Sequence, residues 1–280
     1  MIPCFKLHNG VEVPAIGLGT YRIPNDEEAV RCVRDAVAAG YRSIDTAMFY
    51  HNEEWLGKGV RECGVPREEM YVTTKLWNDS HGYEPALKAF AASLRRLGLT
   101  YVDEYLIHWP GFDVEAFVQT WKAFETLYKD GLVRVIGVSN FMDWQLKVLM
   151  ERCEIKPMVN QIETHPLFQP AQAIRFCREN GIQVEAWRPI AHGKLDRGAL
   201  LDAAKKYGKT PAQITMRWHY QNGCRAIPKT THKERMAENV DIFDFSLTER
   251  EMERITNLNT YVRTGESPDE FFLTVKRGSV

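Results

Sequence analysis

The feature that most constrains the fold is an alternation of short apolar segments with longer amphipathic segments, repeated eight times. The short segments have strand composition, and the longer ones carry apolar residues at helical spacing. The predicted strands are residues 15–19, 42–44, 70–75, 104–108, 133–139, 158–163, 183–187 and 225–228. The predicted helices are residues 26–39, 52–63, 83–97, 114–130, 143–152, 170–180, 199–207 with 211–222, and 233–240. Eight such units close a parallel barrel, so we predict an α/β protein with a single (β/α)8 TIM barrel.

Glycines follow five of the predicted helices, at the position where a left-handed residue commonly ends a helix. They are Gly40, Gly64, Gly98, Gly131 and Gly181. A doubly wound dinucleotide-binding fold is the structural alternative. Its glycine fingerprint would begin at Gly17 and Gly19, but the third glycine is absent, which favours the barrel.

The two ends of the chain depart from the repeating pattern. Asn9 and Gly10 form a turn signal between residues 5–8 and 11–13, which predicts a β-hairpin covering one end of the barrel. The residues after Asn259 lack periodicity and are predicted to form a tail over the site. We expect one domain over residues 1–280, with its tail starting at about residue 260.

The composition excludes several classes of partner. Lys and Arg number 36 against 37 Asp and Glu, so there is no basic excess for nucleic acid or an anionic membrane. No apolar run approaches the ~20 residues that span a bilayer, and the N-terminus lacks a secretory signal pattern. The six cysteines are scattered, with no C-x-x-C pair, which indicates free thiols. We expect a cytoplasmic protein.

Polar and aromatic side chains recur at the predicted carboxyl ends of the strands, where a barrel collects its catalytic groups. They are Asp45, Tyr50, Lys75, His108, Ser139, Asn140, Gln161, Glu163, Trp187 and Lys229. No metal-ligand spacing and no strong nucleophile–base pair occurs among them.

Four of these residues suggest general acid catalysis. The phenol of Tyr50 has an ordinary pKa of ~10, and a nearby ammonium such as Lys75 lowers it. Asp45 would hold Lys75 by an ion pair, and His108 would orient a carbonyl oxygen beside Tyr50. Such a site protonates an oxygen while another group attacks the carbon. The alternatives are a structural Lys–Asp pair, a packing tyrosine and a core histidine.

The motifs around these residues resemble those of the aldo-keto reductases. They are Ile44-Asp45-Thr46-Ala47 with Tyr50, Asn52 and Glu53; Thr73-Thr74-Lys75-Leu76-Trp77; Leu106-Ile107-His108-Trp109-Pro110; Gly137-Val138-Ser139-Asn140-Phe141; Asn160-Gln161 with Glu163 and His165-Pro166; and Ile227-Pro228-Lys229-Thr230 with Arg235, Glu238 and Asn239. The resemblance covers essentially the whole chain. It is nearest to the small reductase branch that contains 2,5-diketo-gluconate reductases and prostaglandin F synthases.

The resemblance implies an NADPH-dependent reductase of aldehydes or ketones. Hydride would pass from the nicotinamide to the carbonyl carbon, with a proton from Tyr50 and with Asp45, Lys75 and His108 as the other catalytic residues. The implied cofactor-binding residues are Gly19, Thr20, Asp45, Ser139, Asn140, Gln161, Trp187, Arg188, Ile190, Lys229, Thr230, Arg235, Glu238 and Asn239. Among these, Ser139, Asn140 and Gln161 would hold the carboxamide, and Trp187 would stack on the nicotinamide.

Two cations near the last barrel helix indicate how the phosphate end of the cofactor is bound. Lys229 and Arg235 straddle the start of the last barrel helix, where an anion is favoured and a guanidinium suits a phosphate. This pattern favours NADPH over NADH, for which a carboxylate on the ribose is expected. Two solvated charges on a polar turn are the alternative.

One loop departs from the family pattern. Arg188 follows Trp187 where relatives more often have serine or glycine. We expect its side chain either to contact the pyrophosphate or to turn to solvent.

The substrate pocket is expected to have aromatic walls, which favour apolar or flat carbonyl compounds. The predicted residues are Tyr21, Phe49, Trp77, His108 and Trp109, with Tyr261, Phe271 and Phe272 as further tail candidates. The partner is a small carbonyl substrate, and family habit suggests a monomer without an obligate protein partner.

Two other functions remain open at this level. One is a cofactor-binding regulatory or structural barrel without turnover. The other is an isomerase or lyase that uses Lys75 as a Schiff-base amine.

Overall fold

The computed structural model describes residues 2–268, and the barrel at its centre is formed by eight parallel strands. In chain order these are β3 (Leu18–Gly19), β4 (Ser43–Asp45), β5 (Tyr71–Leu76), β6 (Val102–Ile107), β7 (Val133–Ser139), β8 (Val159–Glu163), β9 (Gln183–Trp187) and β10 (Arg225–Ile227). Each strand pairs with the next one along the chain. Their carboxyl ends therefore meet at one mouth.

The first and last strands close the barrel through a few backbone contacts. Ala226 N donates to Ala15 O and Gly17 N to Ala226 O, both at 3.0 Å. A further bridge pairs Gly19 with Lys229. The predicted TIM barrel is confirmed, although the regular ladder of the first strand is three residues shorter than the predicted 15–19 because these bridges are isolated.

Ten helices surround and cap the barrel in the described part of the chain. They are α1 (Glu27–Ala38), α2 (Glu53–Glu62), α3 (Tyr83–Leu97), α4 (Val114–Lys129), α5 (Asp143–Arg152), α6 (Ala171–Glu179), α7 (Gly198–Tyr207), α8 (Pro211–Gln221), α9 (Lys233–Val240) and α10 (Glu249–Thr256). The predicted helices agree with the first nine within one residue at each end. Within residues 2–268, no helix is long and apolar enough to cross a membrane.

Local sequence explains several helix boundaries. The Asp113 carboxylate accepts from Ala116 N at 3.1 Å at the start of α4, and Thr210 caps α8 in the same way. The five predicted terminal glycines all have positive φ, as at Gly98 with φ 63°. Caps of this kind satisfy backbone groups that a helix end leaves unpaired.

Helix α10 is an element that the sequence pattern did not reveal. It is short and mostly polar, and only Ile255 is buried. Thr248 and Glu251 form a capping box at its start, with Thr248 N donating to the Glu251 carboxylate at 2.8 Å. This capping signal, rather than periodicity, marks the helix in the sequence.

The N-terminal hairpin consists of β1 (Cys4–Lys6) and β2 (Glu12–Pro14). It covers the end of the barrel opposite the mouth, because Asn9 Nδ2 donates to Arg134 O at the start of β7. Buried Leu7 and Val13 pack into the main core cluster. The hairpin prediction is confirmed, and the open mouth is left to the loops and the tail.

Candidate active site

Tyr50 is brought over the mouth by a short 3-10 turn, Met48–Tyr50, that follows β4. The loop is fixed from below by Asn52. Its Nδ2 donates to Thr20 O and Ile23 O, both at 3.0 Å, and its Oδ1 accepts from Thr46 Oγ1 at 2.7 Å. Asn52 is fully buried, so the position of Tyr50 is determined by a rigid loop.

Lys75 and Asp45 form a buried ion pair beneath Tyr50. Lys75 Nζ lies 2.5 Å from Asp45 Oδ1 and 2.9 Å from Thr46 O. The same nitrogen is 5.2 Å from the centroid of the Tyr50 ring. Burial lowers the pKa of Lys75, but Asp45 and Tyr50 outweigh it, so the pKa is raised. A Schiff-base role needs a free amine, and this ammonium is protonated and engaged.

The electrostatics of Tyr50 have two opposing parts. Burial raises its pKa, and Lys75 lowers it, as the sequence argument expected. Burial is the larger effect, so the pKa of Tyr50 is raised, and Tyr50 is a protonated phenol at neutral pH. The ammonium stabilises the phenolate that would follow the loss of the proton.

His108 completes the group at the mouth. Its ring meets the Tyr50 ring edge-on, with 5.5 Å between centroids. Burial, and to a smaller extent Lys75, lowers the pKa of His108 well below its usual value. The imidazole is therefore neutral and carries one N–H that it can donate to an oxygen beside Tyr50.

Three of the predicted aromatic wall residues lie at the mouth. Phe49 stacks on Trp77 with 3.9 Å between centroids, and Trp77 meets the His108 ring at 5.2 Å. Tyr21 lies 5.0 Å from the Tyr50 ring and is partly exposed. Trp109 is buried, and its carbonyl accepts from Asn78 Nδ2 at 3.0 Å. The side chains of Tyr21, Phe49 and Trp77 form an aromatic rim beside Tyr50 and His108.

Of the three tail residues predicted for this wall, the structure describes one. Tyr261 is 75% exposed, so its ring is open to solvent. Phe271 and Phe272 lie outside the described residues.

The ends of β7, β8 and β9 supply a second set of polar groups. Ser139 Oγ donates to Gln161 O at 2.8 Å, and Asn140 Nδ2 donates to His108 O at 3.0 Å. Trp187 Nε1 donates to Asn140 Oδ1 at 2.8 Å. Asn140 adopts a left-handed conformation with φ 64°. The predicted carboxamide residues and the predicted stacking ring are thus brought together.

Gln161 links this second set to the catalytic group. Its Nε2 donates to Asp45 Oδ2 at 2.9 Å and to Glu185 Oε2 at 3.1 Å. Within residues 2–268, no group donates to its Oε1. Gln161 therefore offers an unused acceptor at the mouth.

The predicted phosphate residues lie at the barrel seam and on α9. Lys229 is exposed and follows β10, next to Gly19. Arg235 is exposed in the first turn of α9, and Glu238 accepts from Thr210 Oγ1 at 2.6 Å. Both cations are accessible to a ligand.

Three other predicted cofactor residues near the seam have structural contacts. Thr20 is fully buried, and its Oγ1 donates to Asp45 O at 2.8 Å. Thr230 Oγ1 accepts from His232 N at 3.1 Å, and Asn239 is buried. The contacts of Thr20 and Thr230 hold the loops around the seam.

Arg188 has a contact that the sequence did not predict. It has φ 51°, and its Nη1 donates to Thr264 O in the tail. The alternative of a side chain turned to solvent is wrong, because the guanidinium is engaged by the tail. A pyrophosphate contact of Arg188 stays a prediction, as does that of the half-buried Ile190.

The tail is anchored by Glu163, a residue to which the sequence argument gave no role. Its Oε1 accepts from Thr264 N and Thr264 Oγ1, both at 2.7 Å, and from Gly265 N at 3.1 Å. Gly265 lies so close to Trp187 that a Cβ would be 2.3 Å from its Cη2. The tail prediction is confirmed up to residue 268, since the tail packs against a wall of the site.

The comparisons with known proteins agree with this site. Residues 15–260 match the Aldo/keto reductase family. A 9,11-endoperoxide prostaglandin H2 reductase of Trypanosoma cruzi is 50% identical over 273 residues, covering 96% of this chain and 96% of the relative. A glyoxal reductase of Bacillus subtilis is 50% identical over 266 residues, covering 95% and 96%.

Solved structures give the same result. An aldo-keto reductase of the silkworm Bombyx mori, in complex with NADP, superposes with a TM-score of 0.90. It is 37% identical, and the match covers 97% of each chain. The chain therefore belongs to the aldo/keto reductase family and is an oxidoreductase.

The site fits a nicotinamide cofactor on its own geometry. Gln161 presents an unused acceptor, which suits the donor of a carboxamide. The half-buried Trp187 ring is held by Asn140, which suits stacking on a flat ring. At the seam, Gly19 has no room for a side chain, because a Cβ would lie 3.0 Å from Ile227 O.

Proposed function

We propose that this protein reduces an aldehyde or ketone to an alcohol with NADPH, and that Tyr50 supplies the proton. The observation that carries the proposal is the convergence of four groups at one mouth. Tyr50 is protonated, Lys75 and Asp45 form a pair beneath it, and His108 is neutral beside it. The NADP complex of the silkworm relative supports the choice of cofactor.

The residues of the chain have separate roles in this reaction. His108 donates a hydrogen bond to the carbonyl oxygen and orients it towards Tyr50. Tyr50 donates its proton to that oxygen as negative charge develops there. Lys75, held by Asp45, stabilises the resulting phenolate. NADPH, when bound, supplies the hydride to the carbonyl carbon.

The cofactor is held along a path from the mouth to the seam. Ser139, Asn140 and Gln161 bind the carboxamide, and Trp187 stacks on the ring. The remaining proposed contacts lie with the ribose, the phosphates and the adenine. Glu238 and Asn239 meet the adenine edge. The residues along the ribose and phosphates are Gly19, Thr20, Asp45, Arg188, Ile190, Thr230, Lys229 and Arg235. Lys229 and Arg235 bind the phosphate of the adenosine ribose, since Lys229 is exposed at the seam and Arg235 is exposed in the first turn of α9.

The substrate is a small carbonyl compound bound between aromatic side chains. The walls are Tyr21, Phe49, Trp77 and Trp109, beside His108. The stacked pair of Phe49 and Trp77 favours flat or apolar compounds. The glyoxal reductase relative supports a reactive aldehyde or dicarbonyl. We further propose that the chain acts as a monomeric single domain in the cytoplasm, without an obligate protein partner.

The test is a fluorescence titration with NADPH and NADH, followed by addition of 4-nitrobenzaldehyde. We expect NADPH to quench tryptophan emission at lower concentration than NADH. We also expect the aldehyde to cause oxidation of the bound NADPH. Binding of NADPH without turnover would support the regulatory barrel, which no observation here favours. Binding of neither nucleotide would refute the assigned cofactor contacts.

A further inference from the structure

A cluster of buried charges lies inside the barrel, below the catalytic group. We name it the basal charge cluster, and it consists of Arg225, Glu185, Glu104, Tyr71 and Ser43. All five side chains are buried. Barrel interiors are filled mainly by apolar residues, and buried charges are costly unless paired. The proposed reaction gives this cluster no role.

Arg225 anchors the cluster to the base of the barrel. Its Nε donates to Pro14 O at 3.0 Å, at the end of hairpin strand β2, and its Nη2 donates to Ser43 Oγ. Its Nη1 donates to Glu185 Oε1. Arg225 is therefore a fixed support for the Glu185 carboxylate.

The two glutamates beside Arg225 differ in their contacts. Glu185 forms the close ion pair, whereas Glu104 Oε2 is 3.8 Å from Arg225 Nη1 and accepts from the Tyr71 hydroxyl at 2.7 Å. Burial and the neighbouring Glu185 raise the pKa of Glu104 well above its usual value. The described contacts of Glu104 do not include Gln161.

Glu185 reaches upward to the mouth through its second oxygen. Glu185 Oε2 and Asp45 Oδ2 accept the two amide hydrogens of Gln161, at 3.1 and 2.9 Å. A carboxylate only accepts hydrogen bonds, so the amide nitrogen has to face this pair and the amide oxygen has to face the mouth. Without Glu185, one of the two amide hydrogens loses its partner.

We propose that Glu185 is a positioning residue for the nicotinamide: held by Arg225, it fixes the Gln161 amide so that Oε1 accepts from the carboxamide N–H. The proposal rests on the carboxamide contact of Gln161 in the proposed function. It connects the base of the barrel to the cofactor by three side chains in sequence, Arg225, Glu185 and Gln161. Glu185 itself touches no reacting atom.

The test compares Glu185→Gln with Glu104→Gln. Each variant replaces one glutamate beside Arg225, but only the first alters a partner of Gln161. In Glu185→Gln the oxygen of the new amide accepts from Arg225, so the nitrogen of the new amide faces the Gln161 amide nitrogen. Gln161 then loses one acceptor, and its amide is no longer held in one orientation. The probes are NADP+ and 3-acetylpyridine adenine dinucleotide phosphate, whose acetyl group lacks the carboxamide N–H. Both are titrated by tryptophan fluorescence.

The measured quantity is the ratio of the two dissociation constants. For wild type we expect NADP+ to bind about three- to tenfold more tightly than the acetylpyridine analogue, which is the ratio expected from one additional hydrogen bond. In Glu185→Gln the preference falls to nearly one, and in Glu104→Gln it is unchanged. If Glu185 had a purely structural role, Glu185→Gln would weaken the binding of both ligands equally. The ratio of dissociation constants would then stay as in wild type, and this result would overturn the proposal.

Two further variants keep the outcome interpretable. Glu185→Asp preserves the charge beside Arg225 but is one methylene too short to reach both Arg225 and Gln161, so it should also lose the preference. This variant serves as the test if Glu185→Gln does not fold. Gln161→Met removes the acceptor itself and should abolish the preference. If Gln161→Met keeps the preference, the carboxamide contact in the proposed function fails, and the proposal fails with it. If Gln161→Met loses the preference and both Glu185 variants keep it, only the role of Glu185 is wrong.

Discussion

Lys75 Nζ lies 2.5 Å from Asp45 Oδ1, and the Lys75 side chain is entirely excluded from solvent. The lysine has no other anionic partner within hydrogen-bond distance among the described residues, and its second acceptor is the neutral Thr46 carbonyl. The charge of Lys75 beneath Tyr50 therefore depends on Asp45. A buried charge that loses its partner destabilises the folded state.

The first prediction concerns this pair. Asp45→Asn should lower the free energy of unfolding by about 3–5 kcal/mol, because it leaves the Lys75 ammonium unpaired. Urea unfolding followed by circular dichroism measures the change. Glu154→Gln is the matched control, because it breaks an exposed pair with Lys129 at 2.6 Å and should hardly move the midpoint. Equal midpoints for both variants would contradict a structural dependence of Lys75 on Asp45.

The second prediction concerns the phosphate of the adenosine ribose. Arg235→Ala should raise the KM for NADPH by about ten- to a hundredfold, since one charge-assisted contact is lost. The KM for NADH should change far less. Steady-state kinetics with both cofactors gives the comparison, and Arg250→Ala, an exposed arginine on α10, is the control. A similar increase for NADPH and NADH would exclude a role in recognition of this phosphate.

The third prediction concerns the tail. Gly265→Ala should weaken NADPH binding, because the new Cβ would lie 2.3 Å from Trp187 Cη2 and would displace the ring or the tail. Gly198→Ala adds a Cβ with no atom within 4 Å and should bind NADPH as wild type does. Fluorescence titration measures both. Unchanged binding in Gly265→Ala would show that the tail does not support the stacking ring.

The fourth prediction concerns acid stability. Burial lowers the pKa of His219 to about 4, while its Nε2 lies 3.0 Å from Pro189 O. The unfolded chain takes up this proton near pH 6.5, so stability falls as the pH decreases from about 6.5 to about 4. His219→Gln keeps a donor but cannot titrate, so its loss of stability over that range should be smaller.

Urea midpoints between pH 7.5 and pH 4 test this prediction, with the exposed His51→Gln as control. The control should follow the wild-type curve. If His219→Gln loses stability as steeply as wild type, the buried histidine does not cause the acid sensitivity.

Much of the fold was predictable because its signals are local. Helix boundaries follow from caps and terminal glycines such as Gly98. The alternation of short apolar segments with longer amphipathic segments predicted the barrel. The polar helix α10 was missed because only Ile255 is buried and the apolar pattern is faint. The first strand was predicted too long, because its pairing depends on the last strand, more than 200 residues away.

In the site, too, residues with a local sequence signal were predictable and residues with distant partners were not. Asp45, Tyr50, Lys75 and His108 stand in motifs, so their convergence followed from the order of the strands. The role of Glu163 depends on Thr264, which is 101 residues away, and that of Glu185 on Arg225, 40 residues away. Partners at such separations are set by tertiary packing and leave no local pattern in the sequence.

The central claim is that Tyr50 donates the proton. Tyr50→Phe removes the hydroxyl and keeps the ring, so single-turnover reduction of 4-nitrobenzaldehyde by bound NADPH should slow by about 10²–10⁴-fold. The affinity for NADPH should be unchanged, and Tyr21→Phe, on a ring 5.0 Å away, should react as wild type does. A Tyr50→Phe variant that binds NADPH and reduces the aldehyde at the wild-type rate would contradict the account.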